Sequence, residues 1–102
     1  MTWHPVARAA DIGPDEALPV EAGGRAIALI AIDGRICAVD DVCTHEFAML
    51  SDGLVEDGCI ECPLHQARFR IDTGARVSGP ECAGLSVYET KVDAGTVYVK
   101  TG

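Results

Sequence analysis

The residues best able to do chemistry fall in two short segments: Cys43-Thr44-His45 and, after sixteen intervening residues, Cys62-Pro63-Leu64-His65. Each segment offers one thiolate and one imidazole. Such soft and borderline donors bind iron, zinc or copper. A lone histidine or cysteine is more often structural than a ligand, but two mixed pairs in one small chain are hard to obtain by accident.

What the chain lacks narrows the chemistry further. Once His45 and His65 are committed, only His4 is left among its three histidines. The two-histidine, one-carboxylate site of a mononuclear oxygenase iron therefore cannot be assembled. No Gly-x-Gly-x-x-Gly segment is present for a nicotinamide or flavin nucleotide, so the chain is not expected to collect hydride itself. What remains is a carrier of single electrons, with a structural zinc module as the competing use of two Cys and two His.

Charge and hydropathy limit the partners. Sixteen acidic against eight basic residues give a net charge of -8, which repels phosphate backbones and anionic lipid head groups. Neither nucleic acid nor a membrane surface is expected as a partner. The longest apolar run, residues 26–32, is far too short to cross a bilayer. The first residues show no basic region followed by an apolar stretch, so a cytoplasmic location is the expectation. In that setting the five cysteines read as ligands and buried thiols and not as disulfides.

The elements that must position the ligands follow from pattern. With 102 residues, 11 glycines and no sustained helical periodicity, the chain reads as one turn-rich, mostly β domain over residues 1–102. Residues 3–9 suit a first strand, ended by the turn chemistry of residues 11–16. Residues 25–32 and 35–39 form the clearest hairpin, joined by Asp33-Gly34, a pair favoured in type I′ turns. Residues 85–92 and 96–100 suit two further strands, joined through Asp93-Ala94-Gly95 and returning to pair with that hairpin. Between about residues 40 and 80 the pattern breaks into short pieces around Gly53, Gly58, Pro63, Gly74 and Gly79-Pro80. All four candidate ligands lie there, in what reads as an inserted subdomain made of loops.

With these residues in place the chain resembles the Rieske [2Fe-2S] ferredoxins, and among them the ferredoxin components of aromatic-ring-hydroxylating dioxygenases. The likeness is carried by Cys43-Thr44-His45 and Cys62-Pro63-Leu64-His65, with Gly74 and Gly79-Pro80 similar to the turn and proline loop that cover the cluster in that family. The resemblance implies an all-β fold, a Rieske-like antiparallel β-sandwich or barrel with an inserted two-loop cluster-binding subdomain. It implies one 2Fe-2S cluster, with Cys43 and Cys62 on the inner iron and His45 and His65 on the outer, solvent-facing one. It also implies a soluble, non-enzymatic role in aromatic hydrocarbon catabolism, passing electrons from a reductase to a terminal oxygenase. A small Rieske subunit of a nitrite reductase, or a redox sensor, is the alternative that keeps the cluster.

High-potential Rieske proteins carry a disulfide between the cluster loops and a serine and a tyrosine hydroxyl near the sulfurs. The matching places here are Ala48 and Leu64, and Ala67 and Phe69. Fewer hydrogen bonds to sulfur imply a potential low in the Rieske range, roughly -150 mV. Of the remaining residues, Cys37 and Cys59 read as buried thiols, and Cys82, in a loop, as a stray surface thiol ahead of a lid over the cluster. Phe47, Met49, Leu64 and Gln66 could form a partly apolar docking tip, although core packing is expected for Phe47 and Met49. Arg68 either faces a partner or solvates a strand.

Overall fold

The computed structural model describes residues 2–44, 48–64, 66–79 and 82–101. Among them the chain forms β1 (Thr2–Arg8), β2 (Ala17–Ala22), β3 (Arg25–Ile32), β4 (Arg35–Asp40), β5 (Leu54–Glu56), β6 (Cys59–Glu61), β7 (Arg68–Arg70), β8 (Arg76–Ser78), β9 (Val87–Tyr88), β10 (Thr90–Asp93) and β11 (Thr96–Thr101). Three antiparallel sheets result, in the orders β1-β11-β10, β2-β3-β4-β9 and β5-β6-β7-β8.

The β3 strand explains how the sheets stack. Its side chains alternate between two cores: Ile27 and Leu29 pack with Val97 and Val99 of β11, whereas Ala28 and Ile30 pack with Ile60, Phe69, Cys43 and Cys62. A strand covered on both faces reads as a continuous apolar run, which is why residues 26–32 lack polar alternation. The inserted region therefore shares its core with the body and does not stand apart from it.

Two-residue turns set the registers. Asp33 and Gly34 have φ of 50° and 78°, the type I′ geometry that matches the twist of paired strands, and Ile32 faces Arg35 across them. The same geometry recurs at Gly23-Gly24, Asp57-Gly58 and Ala94-Gly95.

Three expectations need correction. The inserted region is not built of loops alone, because β5 to β8 form a sheet of three-residue strands, each too short to display a period. The β2 strand, unforeseen, pairs with β3 from Ala17↔Ile30 to Ala22↔Arg25, and Pro19 is tolerated there because β2 is an edge. Residues 85–92 do not make one strand, since the chain changes sheets at Glu89. The β9 strand reaches β4 of the hairpin, whereas β10 pairs with β11, and β11 returns to β1.

Candidate metal centre

Three loops converge at one end of the small sheet. The first leaves β4, carries Cys43 and re-enters a single 3-10 turn at Leu50–Asp52. Its root is pinned at Asp40 and Asp41. The Asp40 carboxylate accepts the Tyr88 hydroxyl at 2.5 Å and the Ser86 N–H at 3.3 Å, tying the end of β4 to β9. Asp41 is 0% exposed and takes the opposite direction. One carboxylate oxygen accepts the Ser51 N–H at 2.6 Å and the other the Ser51 hydroxyl at 2.8 Å. The Asp41 carbonyl accepts the Leu50 N–H at 2.7 Å, and the Cys43 N–H donates to Ala48 O at 2.9 Å, so the loop closes on itself. Burial pushes the Asp41 carboxyl above the ordinary carboxylate range, with the two Ser51 bonds opposing the shift and Asp52 adding to it.

The second loop lies between β6 and β7. The Cys62 N–H donates to Ala67 O at 2.8 Å across its neck, and Gln66 turns the chain with φ of 60°. The third loop follows β8 and touches both others. Thr44 Oγ1 donates to Ala83 O at 2.5 Å, and a Cβ on Gly79 would lie 2.7 Å from Ala67 Cα.

Cys43 and Cys62, 4% and 0% exposed, meet at the bottom of this arrangement. The Cys62 thiol is pushed up to about 11, first by burial, then by its hydrogen bond with Cys43, with the charges of Cys43 and Cys82 adding and a backbone bond at Leu64 opposing. Among the described residues no basic side chain acts on it. Two adjacent buried sulfurs, one of them with its thiol pushed up, are a donor set suited to a multiply charged soft or borderline cation that supplies the compensating charge. Iron fits that requirement.

His45 and His65, the other two expected ligands, lie outside the described residues. Their described neighbours Thr44, Leu64 and Gln66 are exposed, Leu64 by 45%, while the two thiols are buried. The described parts of the two loops thus run from a sealed sulfur end to an open end. Among the described residues no group of three or more His, Cys, Asp or Glu side chains is arranged to hold a metal ion. Cys82 lies beside the thiol pair, where its charge adds to the upward push on Cys62. It is half-buried and packs against the core that contains Cys43 and Cys62, which corrects its reading as a stray surface thiol.

Cys37 and Cys59 are half-buried and not fully enclosed as expected. Cys59 faces outward from β6 against the Arg68 guanidinium, which also pairs with Glu61 at 3.4 Å. That ion pair is what Arg68 does on this face. Ala67 and Phe69 are both 0% exposed, so apolar groups occupy the two places expected to lack hydroxyls. Met49 is partly buried and bridges to Val42, whereas Phe47 lies outside the described residues. His4 lies 2.8 Å from Thr101 Oγ1 on β1, away from the loops. Sequence reasoning missed Asp41 and Ser51, and the signal for them was slight: a carboxylate two residues before Cys43 and a hydroxyl on the far side of the same loop.

Comparison with known proteins extends the likeness over the chain. Residues 2–89 match the model of the Rieske [2Fe-2S] domain. The chain is 40% identical over 100 residues to the ferredoxin subunit of anthranilate 1,2-dioxygenase from Burkholderia cepacia, covering 98% of this chain and 93% of that one. Among solved structures, the ferredoxin of Sphingomonas yanoikuyae B1 superposes with a TM-score of 0.92 at 29% identity, covering 99% of this chain and all of the other. A ferredoxin-sized chain in the complex of reduced oxygenase and oxidized ferredoxin of carbazole 1,9a-dioxygenase superposes with a TM-score of 0.88 at 35% identity, covering 95% of this chain and 100% of that chain.

Proposed function

Because this chain belongs to the Rieske [2Fe-2S] domain family, we propose that it is a one-electron carrier passing electrons from a reductase to the terminal oxygenase of an aromatic-ring-hydroxylating dioxygenase system. Its cofactor is one 2Fe-2S cluster of the Rieske type, which replaces the zinc reading. The observation that carries the function is the near full-length likeness to a ferredoxin seen in complex with its oxygenase. The chain is an electron-transfer component, not a catalytic subunit, and we take residues 1–102 as a single domain.

The ligand set proposed is Cys43 and Cys62 on the inner iron, with His45 and His65 on the outer. In support, the two thiols are adjacent and sealed from water, and the residues flanking the histidines are exposed. When bound, the cluster supplies reversible one-electron chemistry between two iron valence states. The chain's own residues do the rest: Cys43 and Cys62 anchor from the core, Ala67 and Phe69 exclude water and hydroxyl donors from below, and exposed Leu64 offers apolar surface for a brief encounter. Among the described residues no helix is long and apolar enough to cross a membrane. A cytoplasmic location agrees with five unpaired thiols.

Reconstitution tests the role: reduced protein should deliver electrons to an aromatic-ring dioxygenase when a reductase is present. Delivery only to a nitrite reductase would replace this reading by the alternative. Two electrochemical outcomes test the ligands. The potential is expected at roughly -150 mV, low in the Rieske range because hydroxyl donors are missing at positions 67 and 69, and a clearly positive value in a redox titration would contradict it. It should also fall as pH rises through the titration of iron-bound imidazoles, because losing a ring proton adds negative charge and disfavours the incoming electron. A potential flat into strongly alkaline solution would remove both histidines from the ligand set.

A further inference from the structure

We propose that Asp41 is the positioning residue that holds the first cluster loop in ligand-ready shape, in partnership with Ser51. The proposal rests on the ligand reading above, since it concerns how Cys43 is presented.

The hydrogen bonds single out this pair. Every polar group of Asp41 is engaged: its N–H donates to Ala26 O at 3.0 Å, its carbonyl accepts from Leu50, and its two carboxylate oxygens are both taken by Ser51. The first two bonds fix Asp41 to β3 and to the returning chain. The side-chain bonds then fix the two ends of the loop to each other, with Cys43 between them and only two residues from the anchor. No salt bridge among the described residues compensates the carboxylate, which is 0% exposed. Burying an unpaired carboxylate is a poor way to gain stability, because an apolar side chain of similar volume would fill the space without the loss of hydration. What an apolar side chain cannot do is accept a hydroxyl and a backbone N–H from one residue in a fixed geometry.

The need for such a clamp is visible in the same loops. All five cysteines are free, so no disulfide closes the first loop or joins it to the second. Among the described residues the backbone ties across the loop are the Leu50 N–H bond to Asp41 O and the Cys43 N–H bond to Ala48 O, and the side-chain tie to its neighbour is Thr44 to Ala83. Each is a single hydrogen bond. Asp41 and Ser51 form the bidentate one, at the point where the loop leaves the rigid sheet.

The test uses the purified cluster-bound protein and three variants: Asp41→Ala, Ser51→Ala and Asp41→Asn. Ser51→Ala keeps the buried acid and one backbone bond, so it remains informative if Asp41→Ala fails to fold. Iron release to a ferrous chelator after reduction is followed by visible bleaching, and the electron paramagnetic resonance g values are recorded on the cluster that remains. Ser51→Ala is expected to release iron about tenfold faster and to shift the g values, the scale usual for losing a group that orients a metal ligand. Asp41→Asn should stay near the parent in both, since its amide can offer an acceptor to the Ser51 N–H and a donor to its hydroxyl. Parent-like release and g values in Ser51→Ala, or release from Asp41→Asn as fast as from Asp41→Ala, would overturn the clamp. Faster release with unchanged g values would reduce Asp41 to a general stabiliser and would also overturn it. If the parent itself lacks the low average g of mixed sulfur and nitrogen ligation, the ligand reading fails and takes this inference with it.

Discussion

Cys62→Ser is expected to purify without the colour of a 2Fe-2S cluster. Because Cys62 is 0% exposed and shares the sealed end of the centre with Cys43, the serine hydroxyl would have to bind iron as an alkoxide at a buried position where no described basic side chain helps it ionise. Serine is a harder and far less acidic donor than cysteine, so both affinity and fraction ionised fall. We expect less than about a tenth of the parent's iron and acid-labile sulfide in Cys62→Ser, and the same in Cys43→Ser, because ligand bonding and folding of these loops are coupled. The far-ultraviolet circular dichroism of the outer sheets should survive, as their core of Ile27, Leu29, Val97 and Val99 includes no ligand. Cys37→Ser and Cys82→Ser are the controls: both should keep the cluster. An intact visible spectrum in Cys62→Ser would strike that residue from the ligand set, and loss of colour in Cys82→Ser would make a neighbour into a participant.

How far the sequence could be read depended on whether a feature was local. The ligand segments and the Asp33-Gly34 hairpin are complete within a few residues, so type and spacing alone expose them. Asp57-Gly58 carries the same turn signal, with φ of 53° and 74°, but the strands on either side have only three residues and display no period that would mark a hairpin. The sheet β5-β6-β7-β8 exists through its contact with the body, where Ile60 and Phe69 meet Ala28 and Ile30, and no window of sequence contains that contact. Gly23-Gly24, a positive-φ turn that joins β2 to β3, is local, but Pro19 argues against a strand there unless that strand is known to be an edge.

At the centre itself, what was legible was donor identity and what was not was support. Nothing local marks Asp41 as buried, since a solvated surface acid is the ordinary fate of a charged residue before a loop. Its role depends on Ser51 folding back ten residues later. Cys82 is similar: it was read from its own surroundings as a loop residue, but its packing is set by the third loop lying against the other two. That third loop is held by a backbone contact, which is the hardest kind to see in a sequence because glycine signals many things.

Gly79→Ala is expected to lower the melting temperature of the cluster-bound protein severalfold more than a methyl group added at an open turn glycine. Two costs add there. The backbone has φ of +89°, a region that L-residues enter at about 1–2 kcal/mol. In addition, a Cβ would stand 2.7 Å from Ala67 Cα, 2.9 Å from Gln66 O and 3.0 Å from Ala67 N, all backbone atoms of the second ligand loop, which cannot move aside as a flexible side chain would. Gly34 separates the two costs, for its φ is +78° and a Cβ there meets nothing within 4 Å. Gly34→Ala should therefore show backbone strain alone, about 1 kcal/mol, or roughly 4–8 °C in a domain of this size. Gly79→Ala should cost about 3 kcal/mol, on the order of 15–20 °C, with iron released faster because the third loop no longer seats on the second. The measurement is a pair of thermal melts read at the visible band and in the far ultraviolet. Equal shifts in the two variants would mean that the third loop can lift away from Ala67 without consequence, and that the cluster loops are held by their own hydrogen bonds.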